Sequence, residues 1–330
     1  MGVGLAVGAV LILGFLRLVD VGAVLQRLDR LAVVPALLCG AVFLSAYVVR
    51  ALRWRLLMVP HRPSVGRVVA IYQVATFLNW LLPVRGGELA KCLLLRHSEG
   101  VPVSRSLATV SIDKAMDMLP ALVLVALLPF VNLHLSQTLW LLLLPALAVV
   151  VFAVGVVSLA VWRPDRATAL LLGPLQAVLP RSLAARVTPF LGRFLDALSA
   201  VARRRRVLAG ACACTVLAVA LDASFCLLAF RAVGVSVSVP VSLYGYTLFN
   251  LAFILPTPPG QVGSNELMGL LIFSGVFGLG RPGVGAMFLF SHPWTALLMG
   301  ASGTLCLSAM GLSLRGTLRL ARGAEGWQGA

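Results

Sequence analysis

Three ionisable residues, Arg85, Glu88 and Lys91, stand at three-residue steps inside FLNWLLPVRGGELAKCLLLR (residues 77–96), in a chain that is 60% hydrophobic and only 12% charged. With Asn79 before them and Gly86 and Gly87 between, they have the composition of an anion site. If a half-helix begins near Gly86, its unpaired amides and positive dipole end face the break, and Arg85 can join them in holding a phosphate. The glycines would let a headgroup approach the backbone. The plainer alternative is that Glu88 caps its own helix while Arg85 and Lys91 neutralise it. Asp113 and Asp117 lie four apart, on one helix face, and need a cation, a proton or water to stay together in a dry bundle. Lys114 and Arg85 are candidate partners, either in a proton-coupled role or in a structural ion-pair cluster. A second set occupies LPTPPGQVGSNE (255–266): Pro256, Gly260, Gly263 and Glu266, the last either capping a helix behind Ser264 and Asn265 or mirroring Glu88.

Other chemistry is excluded by what the motifs lack. His61, His97, His134 and His292 are scattered, with no HExxH, and there is no GxSxG, P-loop or GxGxxG context. Neither a catalytic residue, a cofactor nor a metal site is expected, and ATP-driven transport is not encoded. Cys39, Cys92, Cys212, Cys214, Cys226 and Cys306 show no CxxC spacing and read as small core residues.

These groups must be held by membrane helices. A mean hydropathy of +1.00 over 330 residues is that of a polytopic membrane protein. The net charge of +16 falls in arginine blocks between apolar runs, which is a topogenic pattern and not a nucleic-acid surface. Six runs reach spanning length: 1–19, 31–49, 106–130, 137–162, 207–233 and 284–312. The first lacks a basic leader region and reads as a retained helix. Arginines after the second run, at 203–206 and after the last run mark the cytoplasmic side. Arg50, Arg53 and Trp54 accordingly read as inner-interface markers, where arginine snorkels and tryptophan anchors, with headgroup recognition there as the alternative. Asp222, inside an apolar run, needs a buried partner that the sequence leaves unnamed.

Two shorter runs, 68–82 and 240–255, each end in a proline-containing break and resume at Glu88 and Glu266. Each run with its continuation reads as a re-entrant hairpin, the first (68–98) entering from the cytoplasm and the second (240–280) from outside. FLNWLLPVRGGE and FNLAFILPTPPGQVGSNE share an asparagine, a Leu-Pro, glycines and a glutamate, so the pair forms a weak inverted repeat. Interrupted segments at corresponding places in two halves point to a transport site. The expected fold is therefore an all-α polytopic membrane protein, about six full spans plus two re-entrant hairpins, in one domain over 1–330. Its first half is 1–135 and its second 207–314, with a cytoplasmic amphipathic segment at 163–206 and a short tail at 315–330.

YVVRALRWRLLM (47–58), residues 77–118 and LPTPPGQVGSNE together resemble the flippase-like integral membrane family that includes the transmembrane region of lysylphosphatidylglycerol synthase. The resemblance covers nearly the whole chain. It implies a multi-pass protein of a bacterial or archaeal cytoplasmic membrane that handles lipids: aminoacylated phosphatidylglycerol, hopanoids or polyisoprenyl-linked sugars. The family commonly has arginine where this chain has Lys91 and Lys114, and Pro-Gly-Gly where it has Pro259-Gly260-Gln261. Charge survives the first two changes but bidentate phosphate contact does not. In two-part synthases a soluble aminoacyl-transferring domain follows the membrane region. Here the sequence ends at Ala330, soon after the last run, so aminoacyl transfer of that type is not expected. The leading expectation is a lipid translocase for an anionic or modified phospholipid or glycolipid, acting as a transporter and not an enzyme. The alternatives are a scaffold for a lipid-modifying enzyme partner and an intramembrane transferase acting on a polyprenyl-phosphate with Asp113 or Glu88 as base.

Overall fold

The computed structural model describes residues 2–59, 61, 63–81, 86–127, 204–252 and 257–312, together with isolated positions between 137 and 192. Regular structure among the described residues is helical. The N-terminal helix α1 (Gly2–Leu18) turns through 90° into α2 (Val21–Asp29), a short amphipathic helix whose start is capped by Asp20, accepting from the Ala23 amide at 3.1 Å. Helix α3 (Val33–Leu57) follows, then α4 (Val65–Leu81), α5 (Gly87–Glu99) and α6 (Val103–Leu127). After the interval come α7 (Arg205–Ala232), α8 (Val239–Ala252), a single 3₁₀ turn at Pro259–Gln261, and α9 (Ser264–Gly269), which continues as a π-helical turn over Leu270–Ser274. Helix α10 (Arg281–Ala309) closes the described fold.

Three of these, α3, α7 and α10, are long and apolar enough to cross a bilayer, and α1 with α2 makes a fourth if the bent pair is one span. These are the spans among the described residues. The run expected at 1–19 ends in the right-angle bend, and the polar stretch between it and the next run is itself the helix α2. The run expected at 106–130 forms α6, 25 residues long, but Asp113, Lys114 and Asp117 at its middle make it too polar to count as a plain apolar span. Such a helix is stable at depth only because its charges are buried against partners. The run at 137–162 and the amphipathic segment at 163–206 lie largely outside the described residues. Val10, Leu13, Val33, Val34, Val216, Leu297 and Leu305 are exposed on α1, α3, α7 and α10. In water so much apolar surface would be a liability, and in a bilayer it is the lipid-facing wall.

Helices α3 and α7 run antiparallel: Ala32 N bonds to Ala232 O at one end, and Leu56 packs against Gly210 at the other. Helices α4 and α5 form a tight antiparallel hairpin. Arg67 near the start of α4 bonds to Ser98 O and Glu99 at the end of α5, while Asn79 near the end of α4 holds Gly87 and Glu88 at the start of α5. Gly100, at φ 67°, stops α5 by returning its amide to Arg96 O. The second hairpin is α8 with α9 and its π turn, where Phe273 folds back to cover Gly245 and packs edge-on against Phe230 of α7.

Helix α10 binds both hairpins. Its Gly303 receives the Phe77 side chain of α4, where a Cβ would stand 2.6 Å from Phe77 Cβ, and Phe288 fills the space left by Gly269 on α9. Gly283, Gly285 and Gly303 of this last helix therefore serve packing within the chain. The tips of the two hairpins meet: Trp80 lies against Gly260, whose added Cβ would be 3.6 Å from Cζ2 of the indole. The 3₁₀ turn there needs glycine, since Gly260 and Gly263 have φ of 67° and 78°.

Candidate functional site

Between the hairpins lies a cavity of about 260 Å³, lined from α3 to α10 and from the 3₁₀ turn. Most ionisable groups singled out in the sequence converge on one wall. Arg53, 1% exposed, uses all three guanidinium nitrogens: Nε donates to Asp113 Oδ1 (2.8 Å), Nη1 to Thr215 Oγ1 (3.1 Å), and Nη2 to both Asp113 O (3.1 Å) and Asp117 Oδ1 (2.6 Å). Arg50, one helical turn earlier, pairs with Asp222 at 2.5 Å and Asp117 at 3.5 Å. Three helices are thereby joined by two arginines on one face of α3.

The lysines complete the network. Lys91, buried on α5, sits 3.0 Å from Glu88 and 3.8 Å from Asp113, with its ammonium 3.7 Å above the Tyr72 ring. Lys114 reaches Glu88 at 3.0 Å and Asp117 at 3.6 Å and is 40% exposed. Tyr72 donates its hydroxyl to Asp113 Oδ2 (3.3 Å) and Trp54 its indole N–H to Thr109 Oγ1 (3.1 Å). Four cations (Arg50, Arg53, Lys91, Lys114) thus face four carboxylates (Glu88, Asp113, Asp117, Asp222), and the wall is neutral as a whole.

The sequence expectations fare unevenly here. Arg53 and Trp54 are not rim anchors: both are buried, because two carboxylates on α6 need a partner more than the interface needs a snorkelling arginine. Arg50 is only 15% exposed and is the partner that Asp222 requires. Asp113 and Asp117 share a face, as their spacing requires, and Arg53 bridges them. Gly87 does not lie open to a headgroup. Its amide donates to Asn79 Oδ1 at 2.8 Å, and a Cβ would collide with the Ala75 carbonyl, so the glycine serves the close approach of α5 to α4. Gly86 supplies the residue before α5, and its carbonyl accepts from the Ala90 amide at 2.9 Å. Arg85 and Pro256 lie outside the described residues.

The second hairpin contributes a group the motifs did not reveal. Glu266 Oε2 accepts from the Gly263 amide at 2.7 Å, which is the capping role, while Oε1 lies 2.5 Å from His292 Nδ1 on α10. The other ring nitrogen, Nε2, is 2.8 Å from Gly260 O. A lone histidine at the middle of a 29-residue apolar helix, one position before Pro293, was the only sequence signal for this pair.

The chain matches, over residues 1–303, the family described as the transmembrane region of lysylphosphatidylglycerol synthase. It is also 27% identical over 245 residues, 68% of this chain and 70% of the other, to a UPF0104 membrane protein of Methanothermobacter thermautotrophicus. No solved structure matches it. The extent of the family match, with the helical hairpins and the charged wall falling inside it, places this integral membrane protein in the family of the lysylphosphatidylglycerol synthase transmembrane region.

Proposed function

We propose that the protein is a lipid translocase, moving a phosphate-bearing headgroup of an anionic or modified phospholipid or glycolipid between leaflets while the acyl tails stay in lipid. One observation carries the reading: a cavity with a fully paired, charged wall lies between two helical hairpins in a chain otherwise built to face hydrocarbon. Charge at that depth is costly and marks a pathway for polar cargo. The hairpins act as re-entrant elements of an inverted pair, the first opening to the arginine-rich, cytoplasmic end, and alternating access is their motion about the meeting of Trp80 with Gly260. Lys114, the most exposed cation of the wall, is the first to offer itself to a phosphate, together with Arg85 from the break. No chemical step is needed, so the protein is a transporter whose partners are membrane lipids.

The test is reconstitution in liposomes containing fluorescent phosphatidylglycerol, with headgroup exposure followed by dithionite for wild type, Lys114→Ala, Glu88→Gln and Arg85→Ala. Movement by wild type that slows in the variants supports the reading. Folded wild-type protein that moves no anionic lipid, in either direction, sinks it.

A further inference from the structure

Glu266 and His292 are in direct contact, and the geometry leaves room for one proton between them. A carbonyl oxygen can only accept, so the 2.8 Å contact with Gly260 O places a hydrogen on Nε2. The 2.5 Å contact between Nδ1 and Oε1 then needs one more proton between them, whichever atom it sits on, because two lone pairs do not approach so closely. The pair as a whole is therefore neutral. Both residues are buried, at 8% and 3% exposure for His292 and Glu266, and His292 lines the cavity beside Ser291 and Thr295. Among the described residues the elements around the pair bring no second charge to it. Helix α1 offers Gly8, Leu11 and Ile12 beneath Gly263, α4 offers Trp80 at Gly260, and the turn offers Gln261. The titratable groups that share the cavity are Tyr246 on α8, Tyr47 on α3, Tyr72 on α4 and the charged wall itself.

We propose that this pair is a proton-binding site, and that an anionic headgroup crosses together with one proton held there. The proposal rests on the translocase reading. The four described cations of the wall already face four carboxylates and the pair opposite is neutral, so Lys114 turns to a phosphate only by leaving a carboxylate behind. An anion in such a site is costly to desolvate unless a compensating charge enters with it. The pair can take that charge. A proton from water forms an O–H bond on Glu266 while Nδ1–H and Nε2–H remain, which raises the pair from neutral to +1 and balances a headgroup of −1. The same proton changes the structure. Each carboxylate oxygen already faces an N–H, from His292 on one side and Gly263 on the other, so the new hydrogen weakens one of the two bonds. Those bonds tie the tip of the second hairpin to α10, next to its meeting with Trp80. Loading thereby loosens the contact that separates the hairpins. On the far side the headgroup leaves, the proton returns to water, and the ties re-form.

The coupled movement is electroneutral and follows the proton. Liposomes containing fluorescent phosphatidylglycerol and purified protein are given an inside-alkaline or inside-acid gradient, and separately a potassium diffusion potential. For one proton per lipid, a gradient of one pH unit shifts the leaflet ratio by up to about tenfold toward the alkaline side, and the potential alone shifts nothing. His292→Gln and Glu266→Gln lose the dependence on the gradient. Wild-type movement that ignores the gradient, or that follows the potential, overturns the proposal while the translocase reading stands. If wild type moves no lipid, that reading has failed. The site is then decided by ¹⁵N resonances of the His292 ring in detergent, where a titration that is identical in wild type and Glu266→Gln overturns it.

Discussion

Arg53→Lys is the sharpest probe of what holds the charged wall. The substitution keeps the charge and removes the planar fork. Arg53 makes four hydrogen bonds from three nitrogens, to Asp113 Oδ1, Asp113 O, Asp117 Oδ1 and Thr215 Oγ1. A lysine offers one nitrogen on a flexible four-carbon stem, without the fork, and cannot span α6 and α7 together. At least two of these bonds are lost, each worth about 1.5–3 kcal/mol where a charge is involved, so the expected cost is about 3–6 kcal/mol. Asp113, fully buried, keeps only Tyr72 and the more distant Lys91. Arg67→Ala is the internal reference: its pair with Glu99 is at the surface, with Arg67 47% exposed, and its removal costs about 0.2–1 kcal/mol. Both are measured by reversible unfolding in mixed detergent micelles. If Arg53→Lys is no less stable than Arg67→Ala, then the arginine does not bracket α3 to α6 and α7, and the reasoning fails.

Gly87→Ala sets a Cβ against the Ala75 carbonyl and should open the first hairpin at about 1–3 kcal/mol, seen as lost thermal stability, whereas Gly300→Ala, with Phe77 no nearer than 4.0 Å, should be silent. Gly263→Ala combines a left-handed φ with contact on the Ile12 amide at 2.6 Å, and is expected to destabilise by more than the ~1–2 kcal/mol of the backbone term alone. Lys114→Ala should slow headgroup movement in liposomes while shifting the melting temperature less than Arg53→Lys does, since Glu88 keeps Lys91 and Asp117 keeps Arg53.

What was legible in the sequence followed from local rules. The helices on either side of the two proline-containing stretches and the shared face of Asp113 and Asp117 rest on apolar run length, residue type or a spacing of four. The pairing of those groups rests on none of these. Arg53 and Asp113 are sixty residues apart, and nothing local separates an arginine that snorkels from one that turns inward. The distinction depends on whether a carboxylate on another helix arrives at the same height. Asp222 and Arg50 present the same difficulty across 172 positions. Helix α6 shows a related point: hydropathy treats each helix as if lipid surrounded it, while α6 is solvated by its neighbours' charges. His292 was passed over because motif reading looks for ligands close in sequence, and its partner Glu266 lies across a turn on another element.

The two hairpins are similar in outline but are fastened differently, and the difference bears on which of them moves. The first is held at both ends and along its face. Arg67 clasps Ser98 and Glu99, Asn79 clasps Gly87 and Glu88, and Lys91 ties α5 to Asp113 of a helix already bolted to α3 by Arg53. Freeing it means separating several buried charges, each left without its counterion. The tip of the second is held to α10 through one imidazole that bridges Glu266 and Gly260, and its turn already carries two left-handed glycines and leads into a π-helical segment. Releasing that tie changes one proton and leaves no bare charge in the wall. On the proposed translocase reading the first hairpin is the fixed half of the cavity and the second the half that yields, so cross-links from α5 to α6 are expected to be tolerated during lipid movement in liposomes, while a cross-link from the 3₁₀ turn to α10 is expected to stop it.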